Sequence, residues 1–226
     1  MQDALEPAVS SIAGTQVAIT GAGRTDRGVH ARIQVAHFDT EAKRPSSAWV
    51  RGVNALLPDA VAVLWSHEVA DDFHARYSAL ARTYRYELLN RPVRPALAAR
   101  YVGWFHLPLD LNRMRAAAAM LAGEHDFSAF RSAECQAKSP VRTIHALEVH
   151  QDGEKIEFVV RANAFLHHMV RNIVGTLVYV GKGKHPPQWV EEVLHSKDRA
   201  RAAPTFGPEG LYLEKIEYDA KWQLPK

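Results

Sequence analysis

The stretch Gly21-Ala-Gly-Arg-Thr-Asp-Arg-Gly-Val-His-Ala31 carries one carboxylate, Asp26, on a glycine-punctuated loop between Arg24 and Arg27, with His30 close by in sequence. Flanking arginines keep a carboxylate ionised and attract a phosphate-rich partner. An ionised carboxylate among cations, with no second acid beside it, points to a nucleophile that works on nucleic acid. Taken alone, Asp26 fits a turn cap better than a nucleophile, because aspartates in such loops accept backbone N–H groups. The glycine spacing G-x-G-x-x-x-x-G matches neither a dinucleotide fingerprint nor a phosphate loop ending in Gly-Lys-Ser/Thr.

A second stretch, Asn163-Ala-Phe-Leu-His-His-Met-Val-Arg-Asn172, opens an apolar run that reads as a helix over about 165–180. Phe165, Met169, Ile173 and Leu177 would form its buried stripe. Arg171 lies off that stripe and shares a face with His167, His168 and Gly175. A glycine one turn away permits close approach of another backbone. Arg171 can then reach a carboxylate in the other half of the chain, or it can be an exposed arginine on a solvated face. On a helix the adjacent His167 and His168 diverge by about 100°, poor geometry for one metal, and no H-E-x-x-H pattern is present. No metal is expected. Tyr84 and Tyr86 share one face of a strand, where they serve either as core residues or as a stacking platform for a base.

These residues must be positioned by the elements around them. Asp3-x-x-Glu6 has the form of a capping box for a helix carrying Leu5, Val9 and Ile12 and stopped by Gly14. Strands are expected over 17–20, 33–39 and 60–65, with a short helix over 46–57. The polar break at Asp71-Asp72 marks a boundary between halves 1–72 and 73–226. The second half reads as a strand over 83–88, a helix over 112–122 capped by Gly123, strands over 143–150 and 155–161, the long helix, another helix opened by Pro186-Pro187, and a strand over 211–218. Strand, helix, strand, strand, helix, strand is a ferredoxin-like order, so the fold class is α+β. The first half lacks an opening strand in this reading.

The 226 residues are 47% hydrophobic and 23% charged, with a net charge of +3 and twelve histidines. That balance allows a core of ordinary size and a locally basic face. One cysteine, Cys135, excludes an internal disulfide and a cysteine-based zinc site. It sits in a polar loop and is given no catalytic role. No apolar run reaches the roughly 18 residues that span a bilayer, and the N-terminus lacks the pattern of a signal peptide. A cytoplasmic location is expected.

The Asp26 loop resembles the catalytic-aspartate motif of the tRNA pseudouridine synthase A family. The resemblance continues through Gly52-Val-Asn-Ala-Leu-Leu-Pro58, Phe73-His-Ala-Arg-Tyr-Ser78, Arg82-Thr-Tyr-Arg-Tyr86, Asp126-Phe-Ser-Ala-Phe130, Asn163 to Gly175 and Glu209-Gly-Leu-Tyr-Leu213, nearly the whole chain. It implies an isomerase that converts uridine to pseudouridine at positions 38, 39 and 40 of the tRNA anticodon stem-loop, without cofactor or metal. It also implies two ferredoxin-like halves with joined antiparallel sheets and a central active-site cleft, working as a homodimer. Asp26 would be the nucleophile, Tyr84 would stack on the uracil and assist proton removal, and Arg171 would pair with Asp26. Arg24 would help extrude the uridine and hold RNA, in an RNA-binding set expected to include Arg27, Arg32, His30 and His168. Family members carry a strand and loop ahead of the helix that starts here, so reduced stability and weak activity are expected. Two rivals remain: a catalytically silent tRNA-binding chaperone of the same fold, and an N-glycoside hydrolase that also uses a carboxylate at C1′.

Overall fold

The computed structural model describes residues 1–225. Its elements in chain order are α1 (Gln2–Ala13), β1 (Thr20–Gly21), β2 (His30–Ala31), β3 (Ala36–His37), β4 (Ala79–Asn90), β5 (Gly103–Phe105), α2 (Leu111–Ala119), β6 (Gly123–Asp126), β7 (Val141–Asp152), β8 (Lys155–Ala162), α3 (Met169–Gly181), α4 (Trp189–Ser196) and β9 (Leu211–Tyr218). The chain divides into two compact units: Met1–Arg24 with Gln34–Leu80 and Ile216–Lys226, and Thr25–Ile33 with Ala81–Lys215. The boundary expected at 72/73 falls inside the first unit. The Asp26 loop belongs to the second.

The second unit holds a mixed sheet in the order β2-β9-β4-β8-β7-β6, with β5 added beside β4. Its four long strands, β4, β7, β8 and β9, lie in the order fourth, first, third, second, which is the split βαβ arrangement expected from the element order. Alternation along β8 explains the pairing: Ile156, Phe158, Val160 and Ala162 are buried and the residues between them are not. In β4, Tyr86 and Leu88 point into the same core. Arg85 and Glu87 point away, and Arg85 makes ion pairs with Glu87 (2.9 Å), Glu157 (3.0 Å) and Glu214 (3.2 Å).

α2 begins on Asp110, whose Oδ1 accepts the Arg113 N–H at 3.0 Å. It ends three residues before the expected 122, because its last N–H groups bond to carbonyls three residues back (Met120 to Ala117, Leu121 to Ala118, Ala122 to Ala119). Gly123, at φ +99°, then turns the chain into β6. α3 is shorter than expected at its start and is buried nearly all round rather than along one stripe.

The first unit is held differently. Helix α1 runs over the expected residues and stops at Gly14 with φ +78°. The Asp3 capping box does not form; Met1 is the N-cap, and Glu6 Oε1 accepts from Gln2 (2.6 Å) and from the Ile19 N–H (3.0 Å). β1 and β3 pair over only two residues each. The segment 60–65 forms no strand. Its Val63 instead bonds through both backbone groups to the Asn54 side chain (2.7 and 2.8 Å), which takes the place of a ladder partner. The short helix over 46–54 contains a π-turn at Ala48–Gly52, and Gly52 lets Ile12 of α1 pack against it.

Candidate active site

Asp26 enters the site through a tight turn. The Val29 N–H donates to the Asp26 carbonyl at 3.0 Å, and Gly28 at the third position has φ +84°. Just beyond, β2 pairs in parallel with β9 (His30 with Tyr212, Ala31 with Leu213), which anchors the loop to the sheet of the second unit.

The other wall comes from the chain that joins β8 to α3. His167 and His168 precede α3 rather than lying on it, and His168 has left-handed backbone (φ +63°) as the helix N-cap. The expected divergence of about 100° therefore does not occur. The two rings lie 4.0 Å apart, and each meets one oxygen of the same carboxylate: His167 Nε2 to Asp26 Oδ1 at 3.1 Å, His168 Nε2 to Oδ2 at 3.2 Å. Arg171, in the first turn of α3, brings Nη1 to 3.5 Å from Oδ2. Its Nε donates to the Phe206 carbonyl (2.9 Å), and the Phe206 N–H returns to the Arg171 carbonyl (3.2 Å). Gly175, one turn on, makes this approach possible, because a Cβ there would collide with the Pro204 carbonyl oxygen.

Burial, then the nearby Arg171 and His167, pull the His168 imidazole below its ordinary value, against Asp26 and Glu134. It is therefore neutral at neutral pH. Asp26, His167 and His168 bring three possible metal-ligand atoms within 4.8 Å of one another. The Arg171 guanidinium beside Oδ2 repels a cation from that spot.

Tyr84 and Tyr86 part ways. Tyr86 is fully buried and its hydroxyl donates to the Gly207 carbonyl at 2.8 Å, so it is a core residue. Tyr84 is partly exposed and meets Phe165 edge to face at 4.9 Å between centroids. Burial of its hydroxyl pushes the pKa up to about 12, with Arg82 opposing and the Asp26 carboxylate adding to the rise. It is a neutral phenol.

The expected RNA-binding residues scatter. Arg24 is exposed in the first unit, and Arg27 is exposed on the Asp26 turn. Arg32 is exposed and pairs with Glu214 at 3.3 Å. The ring of His30 stacks with Tyr101 (5.3 Å) and Tyr212 (4.9 Å), and its Nε2 bonds to the Arg100 carbonyl (2.9 Å). His168 lies on Asp26.

Sequence reasoning missed three contributors. His167 went unassigned because a helical reading turned it away from its neighbour. Cys135 lies in a loop, as expected, but is buried there, and its Sγ accepts the His167 N–H at 3.4 Å. Burial raises its thiol pKa, but backbone N–H groups of Ala137 and His167 and the Arg131 charge outweigh that and lower it. Asn172, fully buried, donates to the Phe130 carbonyl (2.7 Å) and accepts from Arg199 and Thr205 (3.0 and 2.7 Å), tying α3 to two loops. No pattern in the sequence marks a buried asparagine as such a junction.

A sequence model described as tRNA pseudouridine synthase matches residues 1–78 and 117–219. The chain belongs to this family. Asp26 and Arg171 lie within the two matched segments, and Tyr84 lies between them. A protein of Nitrosomonas eutropha named tRNA pseudouridine synthase A is 57% identical over 225 residues, covering 100% of this chain and 81% of the relative. Proteins of the same name from Dechloromonas aromatica and Methylobacillus flagellatus are 59% and 58% identical, with 86% of each covered. No helix among the described residues is long and apolar enough to cross a membrane.

Proposed function

We infer that the chain isomerises uridine to pseudouridine in tRNA, at positions 38, 39 and 40 of the anticodon stem-loop, with Asp26 as nucleophile. The observation that carries this reading is the carboxylate of Asp26, whose two oxygens meet His167 and His168 while Arg171 faces Oδ2. Family membership and the relatives' printed name supply the reaction.

The reaction moves a bond within one nucleotide. A carboxylate oxygen of Asp26 adds to C1′ of the ribose or to C6 of the uracil, and the N1–C1′ bond breaks. The base turns, C5 joins C1′, the carboxylate leaves, C5 loses its proton and N1 gains one. Atoms and oxidation state balance without any co-reactant. Arg171 sets a positive charge 3.5 Å from Oδ2. The target base must leave its stack, at about a few kcal/mol, offset by stacking within the site. Tyr84 offers its ring and a protonated hydroxyl for that purpose, since its phenolate is not formed near neutral pH. Arg24, Arg27 and Arg32 would hold the RNA backbone, which makes affinity depend on salt. A homodimer in the cytoplasm completes the reading.

Nucleoside chromatography of unmodified tRNA after incubation tests it. Pseudouridine at the three positions is expected. Free uracil would establish a hydrolase instead, and tight binding with unchanged tRNA would establish a silent chaperone.

A further inference from the structure

We infer that His167 and His168 are positioning residues that fix the plane of the Asp26 carboxylate by holding one oxygen each, an inference that rests on Asp26 being the nucleophile. The contacts of 3.1 and 3.2 Å are shorter than the 3.5 Å approach of Arg171. Arg171 sees only Oδ2, so it supplies charge without setting the rotation of the carboxylate. The imidazole on Oδ1 provides the second point that defines a plane. In the His167 hydrogen bond the carboxylate accepts, so that ring carries a proton on Nε2; the His168 ring approaches Oδ2 to 3.2 Å.

The backbone is shaped for this purpose. Leu166 and Met169 on either side are buried, leaving the two histidines to project together. His167 is pinned through both backbone groups: the Ser132 N–H donates to its carbonyl (3.0 Å) and its own N–H donates to Cys135 Sγ (3.4 Å). His168 takes a left-handed conformation (φ +63°), which few residues other than glycine adopt, and its carbonyl accepts the Asn172 N–H at 2.9 Å. A residue held in sparsely populated backbone at a reactive carboxylate is a sign of function over stability. A straight helical start would send the second imidazole elsewhere.

The test compares single-turnover rate, tRNA affinity and thermal midpoint in His168→Gly, His168→Asn and His167→Gln, with Asp26→Asn alongside. Glycine and asparagine both tolerate the left-handed backbone. His168→Gly is expected to slow the chemical step by about 100-fold, the scale of a misplaced reactive group, without change in tRNA affinity. Its thermal midpoint should stay within about 2 °C of the parent, a result a merely structural histidine would not give. His167→Gln retains an N–H donor and should lose less rate than His168→Gly. A His168→Gly enzyme with the parent's rate overturns the inference, as does one with normal rate and weakened tRNA binding. If Asp26→Asn stays active, the nucleophile reading falls first, and this inference with it.

Discussion

The two compact units solve the same problem, pairing of backbone groups, by different means. In the second, long strands do it: β4, β8 and β7 form long ladders, with one register shift between Ile144 and Ala146, over a core that includes Tyr86, Phe127, Phe130, Phe158 and Ile173. In the first, side chains substitute for strands. Asn54 clasps Val63, His37 Nδ1 accepts the Ala75 N–H (3.2 Å), and Ser10 Oγ accepts the Val17 N–H (2.9 Å). A clasp depends on one side chain, whereas a ladder spreads the load. The Asp26 turn lies in the middle of first-unit sequence, yet β2 enlists it in the sheet of the second unit. The Asp26 turn thus sits on the unit whose backbone is paired in long strands.

That contrast can be broken by substitution. Phe158→Ala removes a fully buried ring from the ladder core and should destabilise by about 3–5 kcal/mol, seen as a shift of the denaturation midpoint. Asn54→Ala leaves both backbone groups of Val63 unpaired in the first unit and should cost about 1–3 kcal/mol. Single-turnover rate at a temperature where the fold is intact should be unchanged, because Asn54 touches nothing in the site. If Asn54→Ala is as destabilising as Phe158→Ala, the distinction between clasp and ladder fails.

The smallest effect is one of pH. Burial, then His74, lowers the pKa of His37 in the first unit, and burial, then Arg171 and His167, lowers that of His168 in the second. For both, the folded state binds fewer protons than the unfolded chain. Their contribution is complete above the unfolded value of 6.5 and is lost as pH falls through the folded values. Thermal midpoints should therefore fall on acidification below that point, and less so in His37→Asn. An unchanged acid slope in that variant would remove His37 from the account.

The four long strands and the helices of the second unit were legible in the sequence, most clearly β8 with its strict alternation, whereas the short strands β2, β5 and β6 carry no such pattern and were not expected. The order of elements gave the split βαβ plan, and Gly175 beside Arg171 gave the close backbone approach. The first unit was harder to read: its apolar segment 60–65 looks like a strand, and only the structure shows that a side chain from Asn54 satisfies it. At the site, Asp26, Arg171 and Tyr84 were visible as residue types, while the histidines were misplaced for one reason. Helical periodicity was extended back through 165–168, and a single left-handed residue cannot be read from apolar spacing. The stacking of His30 with Tyr101 and Tyr212 could not be read from the sequence, because both tyrosines are distant in the chain.

The most direct test of the account is release of tritium from 5-tritiated uridine in unmodified tRNA, comparing the parent with Asp26→Asn. The account predicts release by the parent, and none by Asp26→Asn despite normal folding and tRNA binding. Release by Asp26→Asn at a rate near that of the parent would contradict it.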